Sequence, residues 1–136
     1  MKKHYIDIVG KWSFVFAYDI EENNLGEVGE WLEALGAEKR EIFRAQDVLS
    51  RQNTGLTFTS PSQRMSVVCI GQQTDIAQWW NTLVHELEHL KNAITRYYDV
   101  EKDSEEEAYL LGYIMQKVIH ALEADGFSER NYENET

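Results

Sequence analysis

The stretch Trp79–Ile94 constrains this chain more than any other, because its apolar residues repeat with the period of a helix. Leu83, Leu87, Leu90 and Ile94 recur three and four residues apart, which places them on one helix face. Candidate N-caps precede the stretch, and one of them has a glutamine three residues later, as in a capping box. The sequence therefore predicts a long amphipathic helix here, with Thr74 or Asp75 as its N-cap.

The centre of this stretch reads H-E-x-x-H, formed by His85, Glu86 and His89. On a helix, residues four apart share a face about one turn apart, so both imidazoles can bind a single tetrahedral Zn²⁺. Glu86 would then stand beside the metal as a general base. The alternative is a buried helix that carries two histidines by coincidence. The chain has only 4 histidines, so this spacing around a glutamate favours the metal site.

Length and composition indicate one globular domain over residues 1–136, in which we expect 127–136 to form a flexible tail. Hydrophobic residues make up 43% of the chain and aromatic residues 12%, which argues against disorder. No apolar run approaches the ~18 residues that span a bilayer. Polar residues interrupt the N-terminal segment where a signal peptide would be apolar. The single cysteine, Cys69, fits a reducing compartment and a core position. We therefore expect a cytoplasmic protein.

Charge limits the classes of partner. The net charge is −11, and the acids concentrate in Asp99–Glu107 and after Glu123. Such a surface repels the phosphates of nucleic acids and acidic membranes. We therefore expect no nucleic-acid partner and no membrane partner, while the oligomeric state is not indicated.

Local patterns predict the order of the remaining elements. Alternating or continuous apolar runs indicate four strands, and helical repeats indicate helices before and after the H-E-x-x-H helix. A proline closes the third strand and marks it as a candidate edge strand. The order ββααββαα predicts an α+β fold with a small, largely antiparallel sheet packed on helices. The predicted strands are His4–Val9, Trp12–Tyr18, Leu56–Ser60 and Met65–Ile70; the other helices are Val28–Leu35, Glu38–Arg51 and Ser104–Asp125.

A catalytic zinc takes three protein ligands and keeps one position open, so a third ligand is needed. Residues 104–107 supply three glutamates at the start of the last helix. Glu107 is already explained as part of a capping box. Glu105 shares a helix face with Ala108 and Gly112, whose small size lets a neighbouring helix approach. We therefore predict Glu105 as the third ligand.

These motifs together resemble a known family. His85-Glu86-x-x-His89 followed by Glu105-x-x-Ala108 resembles the gluzincin metallopeptidases, in which a glutamate on a following helix is the third zinc ligand. The E-x-x-A motif is similar to that of the compact ImmA/IrrE-type peptidases of mobile elements. Segments 53–60, 66–71 and 104–113 resemble small bacterial and phage gluzincin-like proteins, so the likeness covers roughly the C-terminal two-thirds. The larger gluzincins carry an aspartate four residues after the ligand glutamate, where this chain has Tyr109.

The resemblance implies a minimal zincin-like domain with Zn²⁺ as cofactor and a peptide or protein as substrate. Peptide hydrolysis would use Glu86 as the general base. The developing oxyanion needs a further donor, for which Tyr98 is our candidate, although a packed aromatic residue also explains this position. A peptide would lie as an added strand along an exposed sheet edge, formed by Leu56–Ser60 or Met65–Ile70.

Two other function classes compete with a zinc metallopeptidase. One is a non-catalytic, zinc-stabilised module for protein interaction, which the small size of the chain favours. The other is an acidic partner-binding protein or DNA mimic in which the motif is accidental. Metal content distinguishes the acidic partner-binding protein from the two zinc proteins. Proteolysis by a Glu86 variant distinguishes the enzyme from the binding module.

Overall fold

The computed structural model of the chain describes residues 1–132, which form a four-stranded mixed sheet between two pairs of helices. This is the α+β fold that the sequence predicts, with the elements in the predicted order. The elements are β1 (Lys2–Ile8), β2 (Trp12–Tyr18), α1 (Leu25–Ala34), α2 (Lys39–Leu49), β3 (Gly55–Ser60), β4 (Met65–Ile70), α3 (Ile76–Tyr97) and α4 (Glu105–Ala124). Short 3-10 helices lie at Glu22–Asn24, Pro61–Gln63 and Glu129–Tyr132.

The strands lie in the order β1-β2-β4-β3. β1 pairs with β2 and β3 pairs with β4 in antiparallel fashion, while β2 and β4 are parallel. The sheet is therefore largely antiparallel, as predicted. β3 is an edge strand, which confirms the prediction from the proline that follows it. β4 lies between β2 and β3, so the prediction that it could offer a free edge is wrong.

The two faces of the sheet carry separate apolar cores. On one face Trp12, Phe14, Phe16 and Tyr18, which alternate along β2, pack beneath α3 and α4. On the other face residues of β2 and β4 pack against α1 and α2. Cys69 belongs to this second core, and burial raises the pKa of its thiol, so it is a packing residue.

α3 is the longest helix, and it begins where the sequence predicts. The side chain of Asp75 accepts a hydrogen bond from the backbone N–H of Gln78, which satisfies one of the free donors of the first turn. The four apolar residues of its predicted stripe are all buried against the sheet. One face of α3 is thus fixed on the core, and the polar residues lie on its two flanks.

The chain after α4 differs from the expected flexible tail. Phe127 packs against Trp79 and Tyr18, and the Tyr132 hydroxyl donates a hydrogen bond to Asp19. Residues 127–132 therefore close the end of the core, and the rest of the expected tail, 133–136, lies outside the described residues. Within residues 1–132 no helix has both the length and the apolar character required to cross a membrane.

Candidate metal centre and groove

His85 and His89 lie together on the flank of α3 that faces β3. Their Nε2 atoms are 3.2 Å apart, and the rings meet edge to face. Both side chains are exposed; that of His85 is 65% exposed. The helix therefore aims two ring nitrogens at one point in solvent, as the i, i+4 spacing predicts.

The spacing of the two nitrogens fits a shared metal ion. Two ligands of a tetrahedral zinc at ~2.0–2.1 Å lie about 3.3–3.4 Å from each other, close to the observed 3.2 Å. The same distance also suits a hydrogen bond between two neutral imidazoles, one as donor and the other as acceptor. Zinc binding requires both lone pairs to point at the metal, whereas a hydrogen bond requires one N–H to point at the other ring's lone pair. The 3.2 Å separation is short enough for either.

Glu86 lies beneath this pair and is buried, with 6% of the residue exposed. Its Oε1 is 2.8 Å from the Thr57 hydroxyl, which also lies 3.1 Å from the Glu86 carbonyl oxygen and can donate to either. Its other oxygen, Oε2, lies 4.0 Å from the Nε2 of His85. β3 therefore holds one carboxylate oxygen while the other faces the histidine pair.

Gly55, at the start of β3, makes room for this carboxylate. A Cβ atom there would lie 2.7 Å from a methyl group of Thr82 and 2.8 and 2.9 Å from the Cγ and Oε2 of Glu86. Real Cβ atoms do not approach other atoms so closely. Close packing of β3 on α3 at this point thus requires glycine.

A groove of about 580 Å³ runs past the histidines along the free edge of β3. One wall is a face of α2 that includes Arg44, and the other is the face of α3 that carries His85, His89 and Arg96. We call this the α2–α3 groove. Because α2 and α3 lie on opposite faces of the sheet, the groove occupies the place that a fifth strand beside β3 would take.

The predicted third ligand is not brought to the histidines. Residues 1–132 contain no group of three His, Cys, Asp or Glu side chains arranged to hold a metal. Glu105 is exposed on the first turn of α4. Ala108 and Gly112, further along the helix, are also exposed, and a Cβ at Gly112 would meet nothing within 4 Å. The prediction that this face packs against α3 is therefore wrong.

The glutamate of α4 that does face α3 is Glu107. Its Oε1 lies 3.4 Å from the Nζ of Lys91, which also donates a hydrogen bond to Glu88 at 2.8 Å. Lys91 follows His89 by two residues, or about 200° around the helix. α4 consequently packs on the opposite flank of α3 from the histidines, which explains why Glu105 is not beside them.

Tyr98 is also placed outside the groove. Its hydroxyl donates a hydrogen bond to the carbonyl oxygen of Lys11, in the turn between β1 and β2, at 2.6 Å. Its ring lies edge to face with those of Trp12 and Tyr97. In this position Tyr98 anchors the end of α3 to the first hairpin, and its hydroxyl is not directed at the histidine pair.

Sequence reasoning missed Gly55, Thr57 and the two groove arginines, Arg44 and Arg96. Gly55 directly precedes the predicted third strand, but its closeness to Glu86 depends on how β3 packs on α3. Arg96 follows His89 by seven residues and shares its helix face, so this one residue was open to prediction.

Family models, curated proteins and solved structures were also compared with the chain, and none of them matches it.

Proposed function

We propose that the chain is a zinc-dependent metallopeptidase in which His85 and His89 bind the metal and Glu86 is the general base. The observation that carries the proposal is the 3.2 Å separation of the two Nε2 atoms, with a buried carboxylate directly below them. Zinc bound there would polarise the scissile carbonyl and help to ionise the attacking water.

The environment of Glu86 supports a positive charge at the histidine pair. Burying a carboxylate is costly unless charges or hydrogen-bond donors compensate. Within residues 1–132 the side chain of Glu86 receives one hydrogen bond, from Thr57, and its nearest possible cationic partner is His85. A divalent cation on the histidines would balance this charge and so make the buried position favourable.

Glu86 is also suited to move a proton. Thr57 fixes one carboxylate oxygen, which leaves the other free to accept a proton from the attacking water and to return it to the leaving amine. The α2–α3 groove gives an extended peptide a position beside β3, where main-chain hydrogen bonds would align it past the histidines. In this proposal the chain supplies a general base, two metal ligands and a binding groove for the substrate.

The third ligand stays a prediction. Glu105, which the family resemblance implies, would reach the metal only if the first turn of α4 left its place beside α3. Glu105→Gln should then weaken zinc binding, and Glu106→Gln, on the same exposed turn, is the matched control. If both variants bind zinc as the wild type does, the remaining ligands do not come from this turn.

The decisive experiment compares wild-type protein with Glu86→Gln, both purified without a metal-affinity column. We expect about one zinc per chain in each, and at least a 100-fold loss of hydrolysis of a mixed peptide library in the variant, since general-base catalysis contributes 10²–10⁴-fold. Equal activity in the two proteins would refute Glu86 as the base. Zinc without any cleavage in the wild type would favour the non-catalytic zinc module.

A further inference from the structure

The α2–α3 groove carries two arginines on opposite walls, Arg44 from α2 and Arg96 from α3. Both residues are exposed. Within residues 1–132 neither guanidinium forms a salt bridge, whereas Arg40 and Arg51, on or just after α2, pair with Glu38 and Asp47. Acidic residues outnumber Lys and Arg by 24 to 13 in this chain, so partners for a cation are abundant. Among the described residues, the groove arginines are left without one.

Among residues 1–132, neither carboxylate that lines the groove forms a salt bridge with these arginines. The carboxylate of Glu41 accepts a hydrogen bond from the backbone N–H of Glu38 and so closes the capping box of α2. Glu86 is buried and held by Thr57. The exposed walls near the histidines therefore present guanidinium groups to whatever lies in the groove, and guanidinium binds carboxylates with two parallel hydrogen bonds.

We propose that the α2–α3 groove selects extended peptides with an acidic side chain about three residues from the scissile bond. This inference rests on the proposed function of the site. Arg96 follows His89 by seven residues, or about 10 Å of helix rise. An extended peptide covers that distance in about three residues at ~3.3 Å each. A glutamate or aspartate at that position would reach Arg96, with Arg44 on the facing wall.

The net charge of −11 does not contradict this preference. Charges more than about 8 Å apart are largely screened at physiological ionic strength, so the groups that line the groove decide which side chains bind. At low salt the rest of the acidic surface repels an acidic peptide and so weakens its binding. Selectivity for acidic peptides should therefore rise as salt is added from very low ionic strength.

Binding and cleavage are measured separately to test this preference. The Glu86→Gln protein, loaded with zinc, is titrated with fluorescent peptide pools that differ only in having Glu, Gln or Lys at one scanned position. We expect the Glu pool to bind about fivefold more tightly than the Gln pool at one position, and the Lys pool to bind most weakly. Equal binding of the three pools at every position would overturn the proposal.

Arginine variants assign the effect to the groove. Arg44→Gln and Arg96→Gln should each reduce the preference for Glu severalfold, and Arg96→Glu should reverse it in favour of Lys. Arg51→Gln, which removes an exposed arginine outside the groove, is the matched control and should change nothing. A preference that survives both groove substitutions would overturn the proposal.

Cleavage by the wild type separates this inference from the proposed function. If acidic pools bind selectively but are not cut, the peptidase proposal fails and the groove specificity stands. If peptides are cut without regard to acidic residues, the peptidase stands and the specificity fails.

Discussion

The two flanks of α3 both carry basic residues, but those of one flank are buried and paired and those of the other are exposed. On the flank toward α4, Lys91 is 6% exposed and its ammonium group is bonded to Glu88 and Glu107. On the flank toward β3, His85 and His89 are exposed, and among the described residues their rings form a hydrogen bond only with each other. The charge on the first flank is thus neutralised by residues of the chain, whereas the ring nitrogens on the second flank are directed at solvent.

This difference separates a structural cluster, that of Lys91, from the candidate metal site. The hydrogen bond from Lys91 to Glu88, and secondarily the contact with Glu107, raises the pKa of Lys91, so the lysine stays charged and joins the two helices. Removing one partner of a buried charge pair is costly, because it leaves the other charge without compensation. Exposed ring nitrogens add little to folding, and under the proposed function these two would bind the metal. The flanks should therefore respond oppositely to mutation.

The largest expected effect is on metal binding, and it belongs to the histidine flank alone. His85→Ala or His89→Ala should weaken zinc binding by more than about 100-fold, since losing even an outer-shell partner costs 10–100-fold. Competition with a chromogenic chelator measures this affinity.

His120→Ala, which removes an exposed histidine from α4, is the control and should bind zinc as the wild type does. Stoichiometric zinc in a protein that lacks both His85 and His89 would rule out the site.

Stability should show the reverse pattern. Lys91→Ala should lower the free energy of unfolding by about 2–3 kcal/mol, because it leaves the carboxylate of Glu107 partly buried without its cation. His85→Ala should change it by less than about 0.5 kcal/mol, as surface substitutions usually do. Urea denaturation in the presence of a chelator measures both.

Lys91→Met separates charge from packing, since it keeps most of the apolar length of the side chain. If Lys91→Ala and His85→Ala destabilise the protein equally, the contrast between the two flanks is lost.

The fold was predictable because its signals are local. The apolar stripe of α3, the alternation of β2 and the proline after β3 each indicate an element without knowledge of its neighbours. The phase of α4 was not predictable, because Ala108 and Gly112 resemble a close-packing face. The structure instead buries Ile114, Val118 and Leu122, and it leaves the small residues in solvent.

The candidate site likewise has a part that the sequence predicts and a part that it does not. His85, Glu86 and His89 lie within two turns of one helix, so their spacing alone predicts their geometry. The third ligand depends on which flank of α3 receives α4, and on that flank Glu107 faces Lys91. Thr57 and Arg44 reach the site from β3 and α2, elements whose distance from α3 no sequence periodicity encodes.

A smaller effect is expected where β3 meets the histidine flank. Gly55→Ala would place a methyl group within 3 Å of Glu86 and Thr82, so it should displace the carboxylate. We expect a loss of about 1–3 kcal/mol of stability from overpacking, together with reduced peptide hydrolysis. Thermal unfolding and cleavage rates measure the two effects.

Gly26→Ala is the matched control, because a Cβ there meets nothing within 4 Å and alanine favours the helix. If Gly55→Ala is as harmless as Gly26→Ala, the packing of β3 against Glu86 is not as described.

The smallest expected effect comes from the Thr57 hydroxyl, and it tests whether β3 positions the base. Thr57→Val keeps the shape of the side chain but removes the hydrogen bond to Glu86, which is worth about 1 kcal/mol or somewhat more for a charged acceptor. We therefore expect kcat to fall about five- to tenfold, with KM and zinc affinity nearly unchanged. Thr57→Ser restores the hydroxyl and should recover most of the rate. A purely structural role for Thr57 would change stability without a difference in kcat between the two variants, whereas orientation of Glu86 requires that serine rescue catalysis and valine does not.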